Sequence, residues 1–323
     1  MTEIYDKPFL TPERQIDILI SRGLLVTDRE KAIRWLRRIG YYRLTGYLYP
    51  FREVNGAFLE GTSIEHALSL YVFDKKLRLL VLDAIERIEV AIRVEIALLL
   101  GARDPLAHLN PQLLHGNFSK KLSPDSGKTK HQIWMEKFDR SVAVSREDFV
   151  PHFLEQYESH MPIWVAIEIW DLGMLSRFYG GMQRADQKQI AQLFGLSDGY
   201  ILANWLAHIN LLRNIAAHHG RLWNRKLVIT PSFKGTENLD RLQRWIKDEE
   251  SRTIVAASIA ILDHLISVIQ PDSEWSNRMI NFLKDFPGVP NISVAQMGLD
   301  PKFIHSVTLP NVSCADHRSG SQS

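Results

Sequence analysis

Arg213, Asn214 and His218 lie close together near the end of an apolar segment, and their types and spacing suit phosphate chemistry. In the stretch 205–224, Trp205, Ile209, Leu212 and Ala216 recur at three- and four-residue intervals. That periodicity predicts a helix with one buried stripe. Asn214 and His218 are four residues apart, so they share a face and the asparagine amide is expected to orient the imidazole. Arg213 precedes His218 by five residues, about 140° around the helix axis. Its long side chain is still expected to reach a phosphate held beside His218. Histidine titrates near neutrality and suits proton transfer to or from a ribose 2′-hydroxyl. Arginine presents a fork of donors that suits the charge of a pentacovalent phosphate. Together these groups are those of a metal-independent cleavage of RNA, in which the 2′-oxygen attacks and leaves a 2′,3′-cyclic phosphate and a 5′-hydroxyl. DNA lacks the attacking group and would be inert. Two such helices facing each other across a two-fold axis would bring two copies of each residue together.

Supporting residues fall into two sets. Glu86 and Glu89 are candidates to pair with Arg213 or to orient His218, although Glu89 stands four residues before Arg93, where an ordinary intrahelical ion pair is the plainer expectation. His219 is either a second proton carrier or a solvated neighbour, and the neighbour is favoured. The stretch 29–52 carries seven basic residues, among them Arg37, Arg38 and Arg43, against the single acid Glu30. Tyr41, Tyr42, Tyr47, Tyr49 and Phe51 are interleaved. Basic groups among aromatics suit phosphate contact with base stacking, while most of these tyrosines are expected in the core with only the hydroxyl wet. Arg221, Arg225 and Lys226 follow the motif directly and are placed to hold a substrate backbone.

The elements that must position these groups read as helices. Thr11-Pro12 marks a helix start and Gly23 its close. The runs 27–30 and 62–65 have the form of capping boxes, with Gly40 as the stop of the second helix. A long helix without proline or glycine is expected from there to Leu100. Residues 102–130, with Pro105, Pro111, Pro124 and four lysines, read as a long, partly mobile loop. Further helices are expected at about 162–180, 184–194, 198–219 (with Gly220 as its stop), 237–249, 251–270 and 274–285. A strand is conceivable only at 227–230. This gives an N-terminal helical segment at 1–60, a helical core at 61–235, C-terminal helices packed on it at 236–290 and a largely disordered tail at 291–323.

Composition narrows the class. The chain has 323 residues, 45% of them hydrophobic and 24% charged, with a formal net charge of +2. Such a balance excludes wholesale disorder and is too nearly neutral to argue for a nucleic-acid partner by itself. The single cysteine, Cys314, excludes an intramolecular disulfide and a cysteine-rich zinc site. No zinc-helix spacing and no Lys-Ser/Thr context after Gly180-Gly181 is present, so neither metal nor cofactor is expected. The start is not a signal peptide, and the apolar run 254–262 is too short to span a bilayer. A cytoplasmic location without membrane attachment is the expectation.

Several stretches resemble a known family. The segment Arg213-Asn214-Ile-Ala-Ala-His218-His219 looks like the Arg-x4–6-His motif of HEPN ribonucleases. The wider chain, over about 5–230, resembles the Abi-like family of bacterial abortive-infection proteins (the AbiD/AbiF type). The stretches that carry this are 7–11, 39–47 (Ile-Gly-Tyr-Tyr-Arg-Leu-Thr-Gly-Tyr), 73–78 (Phe-Asp-Lys-Lys-Leu-Arg), 86–93, 162–168 and 173–179. The resemblance implies an all-α, HEPN-like helical bundle with additional helices at both ends, dimerisation, RNA cleavage in phage resistance, and a structured small RNA as a further partner. Two other readings stay open: a catalytically silent protein that holds a structured RNA in the same cleft, and a helical scaffold in which Arg213 and His218 are replaceable.

Overall fold

The computed structural model describes residues 8–157, 160–239, 242–243 and 250–301. Three short helices lead into one long one: α1 (Pro12–Ser21), α2 (Arg29–Ile39), α3 (Tyr41–Leu48) and α4 (Ile64–Gly101). Thr11 caps α1 as its sequence requires, accepting from the Arg14 N–H. The two expected capping boxes are each displaced by one residue. Asp28, not Thr27, caps α2 by accepting from the Lys31 N–H at 2.9 Å. Ser63 caps α4, and its N–H donates to His66 Nδ1 rather than to a glutamate. The side chains left over, Thr27 and Glu65, bond to each other at 3.3 Å and tie the two helix starts together. Gly40 ends α2 at φ 86° and ψ 142°, a conformation closed to residues with a Cβ, which lets α3 begin at the next residue.

α4 is the strut of the molecule. Its 38 residues span about 57 Å at the helical rise. Leu77, Val81, Ile85, Ile88, Ile92, Ile96 and Leu100 form its buried stripe. Burying side chains of this kind stabilises by about 1.5–3 kcal/mol each. α3 packs on the early half of α4. The later helices α8 (Ile163–Ala166), α9 (Leu172–Gly181), α11 (Gly199–Ala217), α12 (Val255–Ile269) and α13 (Trp275–Lys284) also pack on it. α10 (Arg184–Leu193) lies on α11. Among the described residues the class is all-α, with isolated bridges and no strand, so 227–230 is not a strand.

Two sequence expectations are revised. Residues 102–130 are built of turns: Pro111–Leu113, α5 (Gly116–Ser119) and a bridge from Leu122 to Thr129, with Ala107, Leu114 and Phe118 buried. The helix expected over 162–180 breaks into α8, a 3-10 turn at Ile167–Ile169 and α9, because Asp171 stops the first and caps the second by accepting from the Met174 N–H at 2.7 Å. α6 (Lys130–Val144) and α7 (Phe149–Gln156) fill the interval between α5 and α8. The helix expected at 237–249 lies mostly outside the described residues, as does the tail from 302 with Cys314. Residues 291–301 are described and bury Val294 and Met297.

Candidate active site

α11 carries the motif, and its end is shaped by the residues that follow. The helix stops at Ala217, not at Gly220. His218 is its C-cap, His219 takes φ 58°, and Gly220 follows. The His219 N–H donates to the Ala216 carbonyl and the Gly220 N–H to that of Ile215, the two bonds of a Schellman turn. A histidine thus sits in the left-handed position that glycine usually fills. Gly220 has its own reason to be glycine: a Cβ there would lie 3.1 Å from Ile215.

The turn is anchored from beneath. Asp74, fully buried on α4, accepts from the Tyr47 hydroxyl at 2.7 Å, from Arg78 at 2.6 Å, and from the Trp223 N–H at 2.8 Å and the Leu222 N–H. Arg78 also donates to the Gly220 carbonyl at 3.3 Å. Burial pushes the Asp74 carboxyl upward, opposed by the Tyr47 hydroxyl, the Arg78 charge and the two backbone N–H groups. Burial and the neighbouring Asp74 charge likewise raise Tyr47, so its hydroxyl stays protonated and donates. A second strap crosses the surface, where Arg221 donates to the Gly46 carbonyl of α3.

These two straps frame a cleft of about 740 Å³ between α3 and the chain after α11. Arg43, Arg52, Arg221, Arg225, His218 and His219 line it, with Tyr42 and Tyr49 exposed at the rim and no carboxylate among the lining residues. Arg52 lies over the Phe58 ring at 5.6 Å, and its buried Nε has no acceptor among the described residues. The expectation that most of these tyrosines lie in the core with a wet hydroxyl is not met: Tyr47 alone of the four is buried, its hydroxyl included, because Asp74 accepts from it, while Tyr42 and Tyr49 are exposed and Tyr41 is half-buried.

Arg213 and Asn214 point elsewhere. Arg213 donates to Asn214 Oδ1 at 3.2 Å. Among the described residues the amide makes no hydrogen bond to the His218 ring; only the backbone joins them, His218 N–H to the Asn214 carbonyl at 3.0 Å. Arg213 faces the acids of α4 and α9. Burial raises the Glu89 carboxyl, with Arg93 and Arg213 acting against it. Burial also pushes Asp171 up, but Lys137 at 2.5 Å, the Met174 N–H and the Arg213 charge hold it below the ordinary carboxylate range. Glu89 is bonded to Arg93 at 2.5 Å, the intrahelical pair that the spacing allows. Arg93 also reaches Glu168 and the Trp170 carbonyl.

The fold therefore gathers His218, His219, Arg43, Arg221 and Arg225 at one cleft, and Arg213, Asn214 and Glu89 on the neighbouring flank of α11. Glu86 is exposed on α4. Arg37 pairs with Glu13 at 2.9 Å, and Arg38 lines a separate groove beside Trp35 and Glu65, so neither joins the cleft. Lys226 is exposed beyond its lining. Tyr42, Arg52 and the Asp74–Arg78 pair are the site residues that motif spacing around Arg213 did not mark.

Among the described residues no group of three or more His, Cys, Asp or Glu could hold a metal ion, and no helix is long and apolar enough to cross a membrane. Nothing matches the chain among curated proteins or solved structures. Residues 34–224 match the family described as Abi-like protein. The match spans more than half of the chain and takes in α3, α4, the cleft as far as Asn224 and the whole of α11, and the chain belongs to the Abi-like protein family.

Proposed function

We propose that the protein is a metal-independent endoribonuclease of an abortive-infection system, acting in the HEPN manner. The observation that carries this is the acid-free cleft of four arginines and two histidines built onto the end of the helix that bears Arg213, Asn214 and His218. Arginines of the cleft hold the phosphodiester, and Tyr42 and Tyr49 offer faces for unstacked bases. His218 takes the proton of the 2′-hydroxyl as the O2′–P bond forms. The P–O5′ bond breaks, and the departing 5′-oxygen takes a proton from the imidazolium of a second copy of the chain. Arg213 faces Glu89 and Asp171 within one chain, and it reaches the phosphorane once two copies bring their α11 ends together, its guanidinium aligned by Asn214. Glu89 sets the charge around Arg213, and Lys226 and Arg225 extend the track for the strand.

A homodimer supplies the second histidine. Val90, Val94 and Leu98 form an exposed stripe at four-residue spacing on α4 that suits such a contact. The reading is tested with purified wild type and His218→Ala in EDTA on total RNA, with the fragment ends mapped. New 5′-hydroxyl ends made by the wild type alone, with a loss of at least 10²-fold in the variant, are expected. Intact RNA bound by both proteins would replace this reading with that of a protein that holds a structured small RNA.

A further inference from the structure

Lys130, Arg177 and the Gly180-Gly181 pair have no part in the cleft, yet the fold brings them to one place. A pocket of about 550 Å³ opens between α5, the start of α6 and the end of α9. Lys130, Arg177 and Arg184 stand around it, and no carboxylate lines it. Lys130 and Arg177 have no ion-pair partner among the described residues, and Arg184 donates to the neutral Gln187 amide at 3.3 Å. Three cations converging without a counter-charge repel one another, and an anion between them removes that repulsion. His115 also lines the pocket, its Nδ1 accepting from the Asn117 N–H at 3.2 Å.

The inner wall is apolar. Ile133 is exposed on it, while Phe118 and Trp134 line it as buried rings, and a Cβ on Gly181 would fall 2.4 Å from the Phe118 ring. Gly180 is different, for a Cβ on it would meet nothing within 4 Å and would enter open space. A bare inorganic anion would occupy a small part of this volume, which lies in the range of about 300–1,000 Å³ used by small organic ligands. Cations at the mouth with an apolar wall of Ile133 and ring edges behind them match a phosphate joined to a base.

We propose that this pocket binds a phosphorylated nucleotide unit, with the phosphate among Lys130, Arg177 and Arg184 and the base against the apolar wall of Ile133 and the edges of Phe118 and Trp134. The site is separate from the His218 cleft and does not depend on cleavage there. Adenosine monophosphate, adenosine, inorganic phosphate and a 5′-phosphorylated RNA tetranucleotide are titrated calorimetrically into the His218→Ala protein, in which the RNA probe stays whole. Arg177→Ala and Gly180→Leu are then added singly to that background. Adenosine monophosphate or the tetranucleotide should bind at least tenfold more tightly than adenosine or phosphate. Arg177→Ala should cost tenfold or more, and Gly180→Leu should abolish the same binding with Tm unchanged. Binding of the mononucleotide marks a free nucleotide as the ligand, and binding of the tetranucleotide alone marks an RNA strand. Absence of binding by both, binding of phosphate as tight as either, or binding indifferent to both substitutions would overturn the proposal.

Discussion

At the scale of the residue, His219 is the position where backbone and chemistry compete. A left-handed conformation costs a residue with a Cβ about 1–2 kcal/mol, and glycine would relieve most of that at some cost in unfolded-state freedom. His219→Gly is therefore expected to raise stability by up to about 1 kcal/mol, read as a higher Tm, with cleavage retained. A stable variant that no longer cuts RNA would instead make His219 the second proton carrier. The sequence made α11 and its polar end readable through the apolar spacing of Trp205, Ile209, Leu212 and Ala216. It did not reveal where the guanidinium of Arg213 goes. Four-residue spacing puts Asn214 under His218, but the arginine beside it is the nearer donor, and it takes the amide oxygen.

At the scale of the element, the Asp74–Arg78 pair fixes the corner that α3, α4 and α11 share. Removing one member of a buried pair leaves the other charge uncompensated, at a cost of about 3–5 kcal/mol. Arg78→Met should lower the urea midpoint accordingly and reduce cleavage, because the Gly220–Trp223 strap loses its anchor. A midpoint within error of the wild type would show that Asp74 is satisfied without its arginine. The sequence holds a signal for this pair. Asp74 and Arg78 fall on the same stripe as Leu70, Phe73, Leu77 and Val81, where charge has no reason to be unless it is bonded inside. A four-residue acid–base pair on a helix is usually a solvated one, and that habit hides it. The starts of α1, α2 and α4 were legible to within a residue; at α2, Thr27 and Asp28 are both competent caps and only the tertiary bond from Thr27 to Glu65 decides between them.

At the scale of the whole molecule, burial holds His108, His131 and His208 toward the neutral form, and a dependence of stability on acid follows from them. Burial lowers His108 to about 4, and it lowers His131 and His208 as well. His208 spans two layers, its Nδ1 donating to the Ile229 carbonyl at 2.7 Å and its Nε2 accepting from Ser258 of α12 at 2.8 Å. The unfolded chain binds protons at these positions below the ordinary histidine value of 6.5, whereas folded His108 does so only near 4. Stability is therefore full above pH 6.5 and falls as pH drops toward 4, by up to about 1.4 kcal/mol per unit for each group. Urea midpoints between pH 7 and 5 should show this slope, and His108→Phe should flatten it; an unchanged slope would remove His108 from the account. The all-helical class was legible because proline and glycine punctuate the chain and α4 contains neither in its interior. The turns of 102–130 were not, because buried Ala107, Leu114 and Phe118 stand seven and four residues apart, a spacing that suits a helix and gives no sign of the turns that place them. One consequence of the anchor at Asp74 concerns synthesis. Its partner Leu222 lies 148 residues further along the chain. At about 5–20 residues per second a ribosome needs roughly 7–30 s to cover that interval. Through that time a nascent chain can display α1 to α4 but has no assembled cleft. If the finished protein cuts RNA, translation itself keeps it harmless to the ribosome until the final third of the chain is being made.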